Sequence, residues 1–292
     1  MGNEIHKPVL LEEVIENLDI QPSDIVVDAT FGFGGHSREI LKKLTTGKII
    51  GIEKDDEVLN QSRGDFDDER VILVRDDFGN IDQIINRQKI KKVDKILFDL
   101  GISSFHFDSS GRGFTFKKDE PLDMRLDKNY SVTAADLVNG LSRDELADLI
   151  YSLGDEGYSR QIAKEIVETR RKKKFETTLE LAEAVLRVKR QTGKIHPATR
   201  VFQALRIGVN DELVTLEKTL PKAVGLLNKN GRIAVISFHS GEDRIVKNIF
   251  KTLRSDGKIE IINKKPIMAQ INETRENPRS RSAKLRVVKR RD

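Results

Sequence analysis

Asp28 closes an apolar run, IVV, and three glycines follow it in DATFGFGGHS (28–37). Behind them SREILKKL has helical spacing. A strand, a glycine turn and a helix let a small molecule approach backbone N–H groups at a helix N-terminus. The next apolar run ends at Glu53, nineteen residues beyond Gly34, where a carboxylate can accept hydrogen bonds from two ribose hydroxyls. A third run ends in RDDFGNI, which sets Phe78 beside Asp77: a stacking face and an acceptor that suit an adenine ring and its exocyclic amine. A fourth ends at Asp99 in FDLGISS. Asp28, Glu53, Phe78 and Asp99 thus stand at the carboxyl ends of consecutive strands, where open sheets bind ligands. Several carboxylates suit a ligand carrying a sulfonium and an amino group better than one carrying a pyrophosphate.

The glycines alone name a site and not a ligand. A dinucleotide fingerprint needs G-x-G-x-x-G; Gly32 and Gly34 fit it, but the third position is Ser37. A nicotinamide-dependent oxidoreductase therefore stays open as an alternative, as does an RNA-binding protein with a vestigial cofactor fold.

The elements that must hold these residues are an α/β sheet. IVVDAT (25–30), KIIGIEK (48–54), RVILVRDD (70–77) and KILFDLG (95–101) read as strands, the first three each followed by a helical segment. That alternation predicts a parallel sheet covered on both faces. From Thr133 to about Leu227 the chain reads helix after helix. Ser142 with Glu145 and Thr177 with Glu180 are spaced as capping boxes, and Leu146, Leu149, Ile150 and Leu153 share one helical face. NGRIAVISF (230–238) is then a buried strand, EDRIVKNIFKTL a helix, and KIEIINK and KLRVVKR two strands expected to pair antiparallel across a polar loop. The expected division is a discontinuous domain of residues 1–105 and 213–292, interrupted by a helical insertion at 106–212.

The 292 residues are 37% hydrophobic and 34% charged, a soluble globular composition without an apolar run of membrane-spanning length. No signal peptide is visible, and His6 argues against myristoylation after Met-Gly. Without cysteines there is neither a disulfide framework nor a thiolate metal site; the histidines lack H-E-x-x-H spacing, so no metal is expected. A cytoplasmic protein follows. The net charge of +5 is unevenly placed. Arg187, Lys189, Arg190, Lys194, Arg200 and Arg206 lie in an acid-free run (184–210), RRKKK spans 170–174, and NPRSRSAKLRVVKRR (277–291) is again acid-free. Three such segments point to a nucleic acid partner.

The strings HKPVLLEE, DATFGFGGHS, DLGISS, RGFTF, PLDMR, HPATRVFQALRI, ISFHSGEDRIVK and ENPRSRSAKLR, in this order along the whole chain, resemble the bacterial family that methylates the exocyclic N4 of a cytidine in small-subunit (16S) ribosomal RNA. The resemblance implies a Rossmann-like class I S-adenosylmethionine-dependent methyltransferase sheet with an inserted helical domain for RNA recognition. It implies that S-adenosyl-L-methionine is held by Gly34, Gly35, His36, Glu53, Phe78, Asp99 and the residue at 106. The partner would be small-subunit ribosomal RNA or the assembled small subunit, with no membrane and the oligomeric state open, a dimer included. Two positions depart from the family pattern: Glu53 replaces the usual Asp, one methylene longer, and His106 stands where Gln is usual. A neutral imidazole donates or accepts as Gln does, but only one of each.

Methylating N4 needs help because its lone pair is delocalised into the ring. An acceptor that takes hydrogen bonds from the amine localises that pair as the proton leaves. Asp99 and Asp123 (in PLDMR) are the catalytic candidates, although Asp123 could instead pair with Arg125 or Arg112. His36 starts a helix, whose positive end disfavours its protonated form. His239 either faces the crevice or satisfies local backbone, and His196 reads as structural or RNA-facing. Phe105, Phe107, Phe114 and Phe116 are either a lid over an extruded base or the core of the insertion.

Overall fold

The computed structural model describes residues 8–193 and 195–291. His6 and Lys7 of the first string and Lys194 of the basic run lie outside the described residues. The chain divides into two compact units, residues 1–102 with 213–292, and residues 103–212.

The first unit is a sheet of eight strands among the described residues: β1 (Ile25–Asp28), β2 (Lys48–Glu53), β3 (Val71–Arg75), β4 (Val93–Asp99), β5 (Leu227–Ser237), β6 (Ile259–Ile261), β7 (Ile267–Met268) and β8 (Lys284–Arg290). Their order is β3-β2-β1-β4-β5-β8-β6, with β7 also on β8. β1 to β5 run parallel, and β8 is antiparallel to β5, β6 and β7. The two late strands do pair antiparallel, but β8 also enters the sheet between β5 and β6. Because β1 lies between β2 and β4, the connections reverse direction there, and the crevice for a ligand opens at the carboxyl ends of β1 and β4.

Alternation along the strands fills a core on each face. Val26, Ile49, Leu97 and Ile236 pack on one side against Val14 and Leu18 of α1 (Leu11–Leu18) and Ile40 of α2 (Gly35–Leu41). Val27, Ile50, Ile96 and Val235 face the other, against α4 (Ile81–Arg87), α11 (Glu212–Leu226) and α12 (Ser240–Ser255), with α3 (Asp56–Arg63) between β2 and β3 in sequence. β5 starts at Leu227 rather than at Asn230. Its pairing with β4 jumps there from Leu227 to Arg232, a register irregularity that holds Asn230 at φ 66°.

The second unit holds α5 (Ser104–Asp108), α6 (Ala134–Gly140), α7 (Arg143–Gly154), α8 (Ser159–Arg170), α9 (Thr178–Val188) and α10 (Thr199–Asn210). The capping box at Ser142 is present: its N–H donates to Glu145 Oε2 at 2.8 Å, and Glu145 N–H donates to Ser142 Oγ at 3.3 Å. Leu146 and Ile150 are fully buried. Gly154 is a glycine by necessity, since a Cβ there would lie 2.4 Å from the Arg200 carbonyl of α10. Asn210, fully buried, ties the irregular stretch before α6 to α10 by accepting from Leu126 N–H and donating to the Met124 carbonyl, both at 2.8 Å. A last short helix, α13 (Ile271–Glu276), belongs to the first unit.

Candidate active site

Three of the predicted carboxylates close adjacent strands of the sheet unit. Asp28 is 2% exposed; it accepts from the Ser37 hydroxyl at 2.7 Å and from Thr30 N–H at 3.3 Å, so it pins the glycine turn to the head of α2. Burial pushes its carboxyl up to about 6, against the lowering effect of those two bonds. Glu53 joins two turns: Oε2 accepts from Gly32 N–H at 2.9 Å and Oε1 from Asp55 N–H at 2.8 Å. Burial pushes it up to about 7. Each carboxylate oxygen still has a second lone pair, so Glu53 can serve the turns and a ribose at once.

Asp99 is different. Its N–H donates to Thr30 Oγ at 2.6 Å, its Oδ2 lies 3.5 Å from His36 Nδ1, and its buried Oδ1 has no hydrogen-bond partner. Desolvation first, then the nearby charges of Asp28 and Glu242, raise its carboxyl well above the ordinary range. An unpaired buried acceptor is costly.

Of the three glycines, a Cβ at Gly32 would stand at ordinary contact distance, 3.9 Å from the Thr30 carbonyl, but its φ of +55° is a conformation that side-chain-bearing residues rarely adopt. A Cβ at Gly34 would come within 2.3 Å of the Phe66 ring, and one at Gly35 within 2.6 Å of Pro8. Gly34 and Gly35 are therefore required already by the packing of this chain. Phe78 is half-buried and meets Phe98 edge-on at 5.7 Å. Its neighbour Asp77 is committed locally, accepting from Gly79 N–H at 2.7 Å and from Lys54 Nζ at 2.9 Å.

The histidines resolve differently. His36 is 5% exposed, with Nε2 3.0 Å from the Val9 carbonyl. His239 serves local structure: its Nδ1 accepts from Glu242 N–H at 3.4 Å, Glu242 returns by accepting from Phe238 N–H at 2.7 Å, and the His239 Nε2–Glu242 Oε1 distance is 3.2 Å. His-x-x-Glu here is a capping box, so of the two readings of His239 the local backbone one holds. Thr30 and Ser37, which hold Asp99 and Asp28, were missed by sequence reasoning. Serine and threonine in a turn carry no distinctive pattern.

In the helical unit, Asp123 spends both oxygens on Arg125, each at 2.8 Å. Burial pushes Asp123 up, but the Arg125 bonds outweigh it and hold the carboxyl below its ordinary range. His106 is buried; Ser103 N–H donates to its Nδ1 at 3.2 Å, which places the ring hydrogen on Nε2. Phe114 is 5% exposed, and Phe116 packs on His196 and Phe202, so these two rings are core of the insertion. Phe105 and Phe107 are half-buried. Burial lowers His196, whose Nδ1 accepts from Ala198 N–H.

The profile of the MraW methylase family matches residues 3–291. The chain belongs to the MraW methylase family. Among its relatives, the ribosomal RNA small subunit methyltransferase H of Dictyoglomus turgidum is 49% identical over 297 residues, covering 99% of this chain and 98% of the relative. The protein of the same name from Clostridium botulinum is 44% identical, covering 97% and 98%. A solved rRNA methylase from Streptococcus thermophilus aligns over 99% of both chains with a TM-score of 0.46 and 12% identity.

The raised carboxyls of this family member make a signed prediction. Asp28 and Glu53 hold a proton more tightly folded than unfolded, so their contribution is present at acid pH and lost as pH rises from about 4 through 6 to 7. Each contributes up to about 3 kcal/mol across that window. Denaturant unfolding of the ligand-free protein should show this downward slope, and Asp28→Asn should flatten it. An unchanged slope in that variant would mean that Asp28 is ionised at all these pH values.

Proposed function

We propose that this chain transfers a methyl group from S-adenosylmethionine to the exocyclic N4 of a specific cytidine in small-subunit (16S) ribosomal RNA. The observation that carries the reading is Asp99: a buried, unpaired carboxylate oxygen at the end of β4, with the acids Asp28 and Glu242 nearby. Membership of the MraW methylase family and the names of its relatives support it.

The residues fit the methyl donor. Its cationic sulfonium and amino groups suit the carboxylates, Glu53 suits the ribose and Phe78 the adenine, with Gly34, Gly35 and His36 at the turn. Bound S-adenosylmethionine supplies a methyl activated by positive sulfur. Asp99 accepts the amine hydrogen bond and then its proton. Asp123, held by Arg125, orders the helical unit instead.

The helical unit contacts the RNA, but with fewer of its cations than the sequence suggests. Arg187 pairs with Glu165 at 2.6 Å, Lys189 with Glu156 at 2.8 Å and Arg206 with Glu212 at 2.8 Å, while Arg200 donates to the Asp155 carbonyl. In the C-terminal segment Lys284 and Arg286 share Asp243. Better phosphate ligands are the exposed Arg171, Lys172 and Lys174, and an open depression between α7 and α8 lined by Arg143, Asp144, Ala147, Arg160, Gln161 and Lys164, three cations to one acid. The ion pairs there, Arg143–Asp144 and Lys164–Glu168, are exposed and hold these cations weakly.

Methyl-labelled S-adenosylmethionine offered with small-subunit particles, naked small-subunit RNA, DNA or bulk protein should label RNA alone, particles best. Label on protein or DNA overturns the reading. Arg160→Glu combined with Lys164→Glu should weaken RNA binding and flatten its salt dependence by about 0.7–0.9 per lost phosphate contact, with cofactor affinity unchanged. An unchanged slope removes that depression from the interface. Among the described residues no helix is long and apolar enough to cross a membrane, and the proposed site of action is the cytoplasm.

A further inference from the structure

We propose that His36 is a positioning residue that shares the proton taken from the substrate amine, its Nδ1 acting as a base toward Asp99. The proposal rests on the methyl-transfer reading above and on a proton count. A backbone carbonyl only accepts, so the 3.0 Å contact between His36 Nε2 and the Val9 oxygen fixes the ring hydrogen on Nε2. The neutral ring therefore turns its lone pair, on Nδ1, toward Asp99 Oδ2 at 3.5 Å. That pair holds one proton in its loaded state, either as carboxylic acid beside imidazole or as carboxylate beside imidazolium. With no proton it is a carboxylate beside a neutral base, ready to receive one.

The N-terminus of α2 opposes a charge on His36, and the acidic surroundings of Asp99 offset it. The charged groups around Asp99 are acidic: Asp28 on β1 and Glu242 at the head of α12 both raise its carboxyl. His239 is turned to Glu242, and Glu273 of α13 binds Leu10 N–H beside Val9. In methyl transfer the N4–carbon bond forms as the carbon–sulfur bond breaks, with that electron pair left on sulfur. The nitrogen then sheds a proton to Asp99, and with that hydrogen on Oδ2, the oxygen 3.5 Å from the ring, the carboxylic acid passes it toward His36 Nδ1. The proton count closes on one proton gained by the Asp99–His36 pair.

Two measurements test this. The first is ¹⁵N NMR of the histidine rings in ligand-free protein, wild type against Asp99→Asn. The expected result is the Nε2–H tautomer at His36 and a titration that moves by at least about one pH unit in Asp99→Asn. An Nδ1–H tautomer, or a titration indifferent to residue 99, overturns the proposal. The second is His36→Gln, which keeps a donor for the Val9 carbonyl but cannot take a second proton. It should lower kcat about 10- to 100-fold, leave KM for RNA unchanged and move the acid-side inflection of the pH–rate profile to lower pH. An unaltered profile would contradict the sharing. Should the NMR coupling be present in a protein that moves no methyl to cytidine, the functional reading fails while the proton pair stands.

Discussion

Asp99→Ala abolishes detectable methyl transfer, a loss of about 10²- to 10⁴-fold, in a protein that remains folded. The two halves of that expectation come from the same geometry. The side chain makes no hydrogen bond through Oδ1, and its anchoring bond, from its own N–H to Thr30 Oγ, belongs to the backbone and survives the substitution. Removing a desolvated carboxyl that faces Asp28 and Glu242 takes away repulsion, so thermal stability should hold or rise. Cofactor binding measured on the same variant divides the cause. Retained affinity places the loss at the amine, and lost affinity places it at the methyl donor. A variant that keeps wild-type turnover would remove Asp99 from the chemistry.

Glu53→Ala should weaken S-adenosylmethionine binding by about 1.5–3 kcal/mol, roughly 10- to 150-fold, because ribose hydroxyls lose a charged acceptor. The structure adds a second consequence. Glu53 also receives Gly32 N–H from the glycine turn and Asp55 N–H from the head of α3, so alanine unties both turns. Stability should fall by about 1–3 kcal/mol as well. Glu53→Gln keeps one carbonyl acceptor and should fall between wild type and alanine in both measurements, by calorimetry and by denaturant unfolding. If alanine destabilises the fold but binds the cofactor normally, Glu53 is a strut for the turns and the ribose lies elsewhere.

The sheet was legible because β1, β2 and β4 are covered on both faces and read as near-continuous apolar runs, each with its acid at the carboxyl end. The ends of the chain were less so. β7 is two residues long and α13 six, too short to leave a period, and they replace what reads as a polar loop after β6. The basic run was legible as composition but not as surface. Arg187 and Lys189 find Glu165 and Glu156, 22 and 33 residues away, and only the packing of α8 and α9 reveals those partners. The glycine motif was similarly ambiguous: Gly34 and Gly35 make room for Phe66 and Pro8, whereas at Gly32 only the positive φ calls for glycine. At the site itself, residue types favoured Asp99 over Asp123 only slightly. Only coordinates distinguish a carboxylate with a buried unpaired oxygen from one clamped by Arg125.

The most direct measurement is of the product atom. Small-subunit particles lacking the modification are incubated with the protein and S-adenosylmethionine, the RNA is digested to nucleosides, and methylated cytidines are resolved by mass spectrometry. N4-methylcytidine is expected as the sole new product, absent when Asp99→Ala is used. A 5-methylcytidine or a 2′-O-methylcytidine would contradict the proposed function, because neither a ring carbon nor a ribose hydroxyl is the amine whose proton Asp99 is placed to receive.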